Sequence, residues 1–298
     1  MRKIPYVQTS VFVDDRASFG GNQLATYWDV EKNASLSQDE MQGMTLEMNF
    51  SESTFIEKPT LDDCDAKVRI FTPALEIPFA GHPTLGTAFV MKYKGLIGVQ
   101  QESTILQLGI GPTPVEYLET DLIQMTQQKP EFKESTDSIY TVANAIGLVP
   151  ENISSMYPIQ IVSTGFPYLI VPVKSLNLLK RARPPLPKEL QELSYREILV
   201  ITTETKYSDS HVHARMFAPE AGVLEDPATG SAAGPLGAYV EKHKVLDNHS
   251  LGDPILIEQG FEINRPSQLI AKVPDERMSA VLVSGRVRLI AEGVFYLP

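Results

Sequence analysis

Three short stretches of this 298-residue chain carry side chains suited to moving protons. The first is MNFSESTFI, where Glu52 stands beside Phe50, Phe55 and Ile56, after a helical pattern and before a strand pattern. Apolar neighbours desolvate a carboxyl, disfavour its charged form and lift its pKa toward the range a general acid/base needs. A surface acid beside a turn is the plainer reading of that residue taken alone. The second stretch is FAGHPTLGTAF, holding Gly81 and His82. Pro83 fits the first position of a helix, where its missing N–H costs nothing, which sets His82 at or next to the N-cap. Histidine caps poorly compared with Ser, Thr, Asp or Asn, and a local rule broken at a helix start often marks a functional site. A histidine chosen for packing is the alternative.

The third stretch is LEDPATGSAAGPLGAYV. Thr229, Gly230 and Ser231 can present N–H groups and hydroxyls at a second helix start, and Pro235 implies that the helix has only just begun there. A helix N-terminus carries about half a positive charge and free donors, so it holds carboxylates well. Two such termini facing one cleft would bind a small anionic substrate without any arginine. Glu225 and Asp226 lie just before this helix, where acids also serve simply to complement the dipole.

Other groupings are weaker. His211 and His213 would share one strand face, but no third ligand has a matching spacing, so no metal site is expected. Asn22 follows two glycines in GGNQLATYW and suits a tight turn. GIGPTP at 109–114 has no helix after it and is no dinucleotide fingerprint. There is no phosphate loop, no Gly-x-Ser-x-Gly elbow and no lysine set for a pyridoxal Schiff base. The single cysteine, Cys64, excludes an intrachain disulfide and a thiolate metal cluster. No cofactor is expected.

The elements that must position these residues follow from periodicity. Segments 5–14, 23–29, 53–58 and 66–72 read as strands. Residues 37–48 read as a helix, with Ser37 as N-cap and Glu40 completing a capping box. A helix is expected from Pro83 to about Lys94, then strands near 99–108, 113–118 and 121–126. A helix over 136–147, strands near 158–163 and 167–173, and short helices between 175 and 194 follow. Strands at 197–202 and 211–217, a helix near 232–243 and a run of strands complete the chain.

This mixed order is α+β. The segments 69–93 and 215–242 both open Arg-x-Phe-x-Pro, then carry an acid, a small-residue turn and a helix rich in small residues. That repeat predicts two pseudo-symmetric domains. They are residues 1–127, completed by a C-terminal strand at about 284–298, and residues 128–283. A net charge of −11 argues against a nucleic-acid partner. No run of about 20 apolar residues suggests a membrane span, and the N-terminus lacks the apolar core of a signal peptide, so a cytoplasmic protein is expected.

The segments GNQLATYW, MNFSESTFI, RIFTPALEIPFAGHPTLGTA, RMFAPEAGVLEDPATGSAAGPL and EQGFEINRPS, in this order, resemble the phenazine-biosynthesis (PhzF-like) family over nearly the whole chain. The resemblance implies the diaminopimelate-epimerase fold: two domains, each a β-barrel-like mixed sheet around a central helix, with the active site between them and a homodimeric assembly. It implies a cofactor-independent isomerase that shifts a proton on a small carboxylated substrate, trans-2,3-dihydro-3-hydroxyanthranilate in the phenazine enzyme. By the same resemblance Glu52 is the acid/base, with His82 and Asp226 catalytic. Ser51, Gly81, Gly230, Ser231 and Asn22 contact substrate. Epimerases of this fold use two facing cysteines, which this chain cannot. GNQ replaces the usual GNP, leaving the roles of Asn22 and Gln23 open. An isomerase or epimerase of another small carboxylate, such as an amino-acid derivative, and a non-catalytic ligand-binding protein on the same fold stay open as alternatives.

Overall fold

The computed structural model describes residues 1–28 and 36–298, and the last residue of the strand expected over 23–29 lies outside them. The first half builds strands β1 (Arg2–Val11), β2 (Asn22–Trp28), β3 (Glu52–Glu57), β4 (Ala66–Phe71), β5 (Glu76–Ile77), β6 (Ser103–Leu108), β7 (Gly111–Tyr117) and β8 (Leu122–Gln127). Helix α1 (Gln38–Met48) precedes β3, and α2 (Gly81–Tyr93) follows β5. The second half builds β9 (Glu131–Glu134), β10 (Gln160–Ser163), β11 (Pro167–Pro172), β12 (Ile198–Thr202), β13 (Val212–Ala218), β14 (Val223–Asp226), β15 (Ile255–Gln259), β16 (Ser267–Lys272) and β17 (Val281–Leu297). Its helices are α3 (Ile139–Ala145), α4 (Leu176–Arg181), α5 (Pro187–Leu190) and α6 (Gly230–His243).

Strands β1, β2, β3, β4, β6, β7, β8 and β17 pair in that order, and β17 returns to β1, which closes a barrel around α2. Strands β9 to β13, then β15, β16 and β17, form the second sheet, which wraps α6. Read from β1 and from β10, the two sheets run through the same sequence of pairings: antiparallel, parallel, antiparallel, parallel, then two antiparallel steps. The fold is therefore α+β with two pseudo-symmetric halves, as the repeated Arg-x-Phe-x-Pro units predict. Strand β17 belongs to both sheets, meeting β8 and β16 with its first residues and β1 with the remainder.

Composition explains why α2 and α6 are central. Helix α2 has no charged residue before Lys92, and its whole first turn is buried; all but the last two residues of α6 are buried. A helix without a polar face must be interior. The buried hydroxyls beside α2 are satisfied in series, Thr87 donating to Thr54 (2.9 Å) and Thr54 to Thr26 (3.0 Å). Helix α1 begins as expected, with Ser37 and Glu40 forming the capping box. No helix among the described residues is long and apolar enough to cross a membrane.

Three boundaries differ from expectation for identifiable reasons. Helix α2 starts at Gly81 with Ala80 as N-cap, so His82 lies inside the first turn rather than at the cap. Proline fits there because no first-turn N–H has an intrahelical partner. Helix α6 starts at Gly230 and contains Pro235, so that proline sits in the second turn rather than at the helix start. Strand β1 stops at Val11 because Phe12 turns left-handed (φ 62°) to lay its ring over Gly230 and Gly285.

The two halves meet where the central helices begin. A Cβ on Gly81 would lie 2.4 Å from the Gly230 carbonyl carbon and the Ser231 nitrogen, so only glycine permits this approach. Gly81→Ala should therefore cost about 1–3 kcal/mol of stability. Gly43→Ala, on α1 with nothing within 4 Å of the new methyl, should gain up to about 1 kcal/mol from helix propensity. Thermal unfolding of the pair checks this, and equal Tm shifts would contradict the packing described.

Candidate active site

Each chemical residue is delivered by a specific chain feature. Asn49 ends α1 in the left-handed conformation, its N–H donating to the Thr45 carbonyl. The chain then turns through Ser51 into Glu52, the first residue of β3, which pairs with Leu24 of β2. Asp226 closes β14, opposite Met216 of β13, three residues before the N-cap of α6. His82 occupies the first turn of α2.

These residues converge. Glu52, Asp226, Thr229 and Ser231 line one cavity of about 90 Å³ between the halves, with Phe79, Tyr168, Glu197 and Met216 among its other walls. The Glu52 Oε2 to His82 Nε2 distance is 3.5 Å. Asp226 Oδ1 accepts from Asn22 Nδ2 (2.8 Å) and Oδ2 from Thr229 Oγ1 (2.5 Å), and the Ser51 side chain approaches the same carboxyl. Asn22 Nδ2 also donates to the Ala228 carbonyl at 3.1 Å, so it ties the two halves together. Ser231 Oγ lies 2.6 Å from the Tyr168 hydroxyl. Gly81 and Gly230 form the backbone contact between the helix starts.

The charges are unusual. Burial first, and repulsion from Asp226 second, hold the Glu52 pKa well above the ordinary carboxylate value. Burial also raises Asp226, against the opposing pull of Thr229, Asn22 and Ser51. Burial lowers His82 to about 3, with a backbone contact from Gln23 pulling weakly the other way. Both shifts oppose an ion pair between Glu52 and His82. Glu52 Oε2, His82 Nε2 and Asn22 Oδ1 are all buried with no hydrogen-bond partner. Native proteins rarely leave such atoms unpaired; here Glu52 stands on the cavity wall, with His82 in contact with it and Asn22 bonded to Asp226 of the same wall.

Several supporting residues carried no sequence signal of their own. Tyr168 orients Ser231. Gln127 donates to the Gly230 carbonyl (2.8 Å) and accepts from Thr164 (2.5 Å). Gln259 accepts from the Thr229 N–H and donates to the Asp226 carbonyl, fixing the turn between them. Gln259 lies in EQGFEINRPS, so the motif located it without giving it a role. Gln23 meets His82 through its backbone, which any residue at that position would supply.

Other groups stay outside. His211 Nδ1 accepts from the Leu256 N–H, while His213 is held between Glu258 and Glu262, so the two rings serve different neighbours. Cys64 is buried and does not line the cavity. A larger groove of about 680 Å³ runs beside β4 and β5, but its Lys67 and Arg69 are already paired with Glu57 and Glu76.

Two sheets, two central helices and an acid-lined cavity between them define the diaminopimelate-epimerase architecture. The comparisons agree. A family profile described as phenazine biosynthesis-like protein matches residues 10–293. A trans-2,3-dihydro-3-hydroxyanthranilate isomerase from Pseudomonas aeruginosa is 36% identical, covering 93% of this chain and 94% of that one. A crystal structure of a PhzF-family phenazine biosynthesis protein from Bacillus anthracis superposes with a TM-score of 0.84 at 27% identity, covering 100% of both chains. A hydroxyproline epimerase from Agrobacterium vitis shares the fold alone, with a TM-score of 0.63 at 10% identity, covering 98% of this chain and 92% of that one. The chain belongs to the phenazine-biosynthesis (PhzF-like) family and is an isomerase.

The raised Glu52 pKa has a consequence for stability. Folded Glu52 stays neutral where the unfolded chain's glutamate ionises, so its contribution is complete below about pH 4.3 and is lost as pH rises through the folded-state pKa. Glu52→Gln is neutral in both states and escapes that loss. Its Tm should match wild type near pH 4 and exceed it at pH 7–8. A Tm difference that does not change with pH would contradict the buried neutral acid.

Proposed function

We propose that this isomerase transfers a proton between two carbons of a small carboxylated substrate without a cofactor, with Glu52 as the acid/base. The observation that carries this reading is the buried, unpartnered Glu52 carboxyl on the cavity wall, 3.5 Å from an unpartnered imidazole nitrogen of His82. A protonated carboxyl whose pKa is lifted can deliver its proton to one carbon and, as the carboxylate so formed, take a proton from another on the same face. It ends the cycle as it began, so no redox partner is required. Trans-2,3-dihydro-3-hydroxyanthranilate, the substrate named for the Pseudomonas aeruginosa relative, is the first candidate.

The remaining residues fit the same chemistry. The N–H groups at the starts of α2 and α6 suit a substrate carboxylate and stabilise negative charge developing next to it. Asp226, held by Asn22, Ser51 and Thr229, and His82 orient the substrate and handle the proton on its hydroxyl side. Ser231 lines the cavity, and the Gly81–Gly230 contact holds the two helix starts together beside it. At about 90 Å³ the cavity is smaller than the ~150 Å³ space that holds a benzene ring. A six-membered ring therefore fits only as side chains of the cavity wall shift to admit it. The family resemblance also supports a homodimeric, cytoplasmic enzyme.

Turnover of trans-2,3-dihydro-3-hydroxyanthranilate, with substrate C–H exchange followed in heavy water, tests the assignment. Glu52→Gln keeps the shape but cannot accept the proton, so turnover and exchange should fall by about 10²-fold or more while ligand binding persists. Wild-type turnover and exchange in that variant would remove Glu52 as the base. Processing of an amino-acid-derived carboxylate instead would keep the proton transfer and replace the substrate.

A further inference from the structure

The repeated Arg-x-Phe-x-Pro units have a structural counterpart that the reaction above does not use. Arg69 Nε and Nη2 grip the two oxygens of Glu76 at 2.8 and 2.6 Å. In the other half Arg215 Nε and Nη2 grip Glu225 at 2.9 and 2.6 Å. Each guanidinium also lies over the phenylalanine two residues on, 5.1 Å from the Phe71 centroid and 5.0 Å from that of Phe217. Such planar, bidentate pairing fixes orientation as well as distance.

Both glutamates stand on the short arm that leads from a sheet to a central helix. Glu76 opens β5, and Ile77 and Phe79 after it form one cavity wall; Glu225 lies in β14, and Asp226 after it forms another. The second clamp is the deeper one, with both side chains 7% exposed, against 17% and 32% in the first. Arg215 Nη1 also donates to the Leu179, Lys180 and Ala182 carbonyls at the end of α4, which anchors the guanidinium from behind.

We propose that Arg69–Glu76 and Arg215–Glu225 are equivalent positioning clamps that set the two arms of the active site, and that Arg215 in addition screens Asp226 from the charge of Glu225. This rests on the assignment of Glu52 and Asp226 to the reaction. The ionisable groups facing Asp226 are Glu225, Glu52 and Tyr168, with Asn22, Ser51 and Thr229 as neutral donors. Those facing Arg215 are Glu225 and Glu262, the latter bonded to His213. Without Arg215, the Glu225 carboxylate acts on Asp226 unopposed.

The test compares Arg215→Met, Arg215→Lys, Arg215→Met/Glu225→Gln and Arg69→Met by turnover, KM, pH profile and amide exchange over residues 219–229. Arg215→Met should lower turnover about 10- to 100-fold through misplacement of Asp226. It should move the acid limb, set by the coupled Glu52–Asp226 pair, to higher pH and speed amide exchange in the arm. The double variant should return the limb to its wild-type pH while turnover stays low. Arg215→Lys keeps the charge without the fork, so the limb stays and turnover falls; this variant keeps the question open to measurement where Arg215→Met does not fold. Arg69→Met should lower turnover without moving the limb.

An unmoved limb and unchanged arm exchange in Arg215→Met would overturn the proposal, as would wild-type turnover in Arg215→Lys. Glu52→Gln run alongside separates the two claims. Normal turnover in that control defeats the proton-transfer reading, and the clamp is then judged on amide exchange alone.

Discussion

Gly81 and Gly230 bring the buried N-termini of the two central helices into backbone contact, and that contact sets the electrostatics of the whole site. Each helix start carries about half a positive charge and unpaired N–H groups. Facing two of them across one cleft is unfavourable unless negative charge lies between them. Two carboxyls, Glu52 and Asp226, are nearby, yet burial and their mutual repulsion oppose ionisation of both. Burial prevails at Glu52. In the proposed reaction the positive potential of the helix ends is thereby left for the substrate's carboxylate, and Glu52 keeps a proton to exchange.

The scaffold exists to hold this arrangement. Asn22, Glu52, His82, Asp226 and Ser231 come from segments far apart in the chain, and every one stands at the end of a strand or in the first turn of a central helix. Strand β17 binds the two sheets together, so the helix starts cannot drift independently. Hydrogen bonds from Gln127, Tyr168 and Gln259 fix the backbone around Gly230 and the turn from Asp226 to Thr229. On the cavity wall the Glu52 carboxyl keeps a buried oxygen without a partner, which suits a site that receives a polar ligand.

Much of this was legible in the sequence. The capping box at Ser37–Glu40 places α1, the small-residue runs after Pro83 and Ser231 mark the two central helices, and the repeated Arg-x-Phe-x-Pro units predict two equivalent halves. Glu52, His82 and Asp226 stand out as candidates through short motifs, and the structure brings them together. Less legible was anything set by tertiary contact. Helix α2 starts two residues early because Gly81 must reach Gly230, a requirement that propensity does not encode. The short strands β5 and β14 are too brief for a period-2 pattern, and they form because arginines of the neighbouring strands hold their glutamates. Tyr168, Gln127 and Gln259 belong to no motif of proton chemistry; their roles arise from what the fold places beside them.

The central claim is that the Glu52 carboxyl is neutral in the closed cleft at physiological pH. Difference infrared spectroscopy of the wild-type protein against Glu52→Gln reads this directly. At pH 7 the difference should contain the carbonyl stretch of a protonated carboxyl, shifting in heavy water as an exchangeable acid does. A difference showing only the carboxylate stretches at pH 7 would mean that Glu52 is ionised, and burial would then not govern the charge of the cleft.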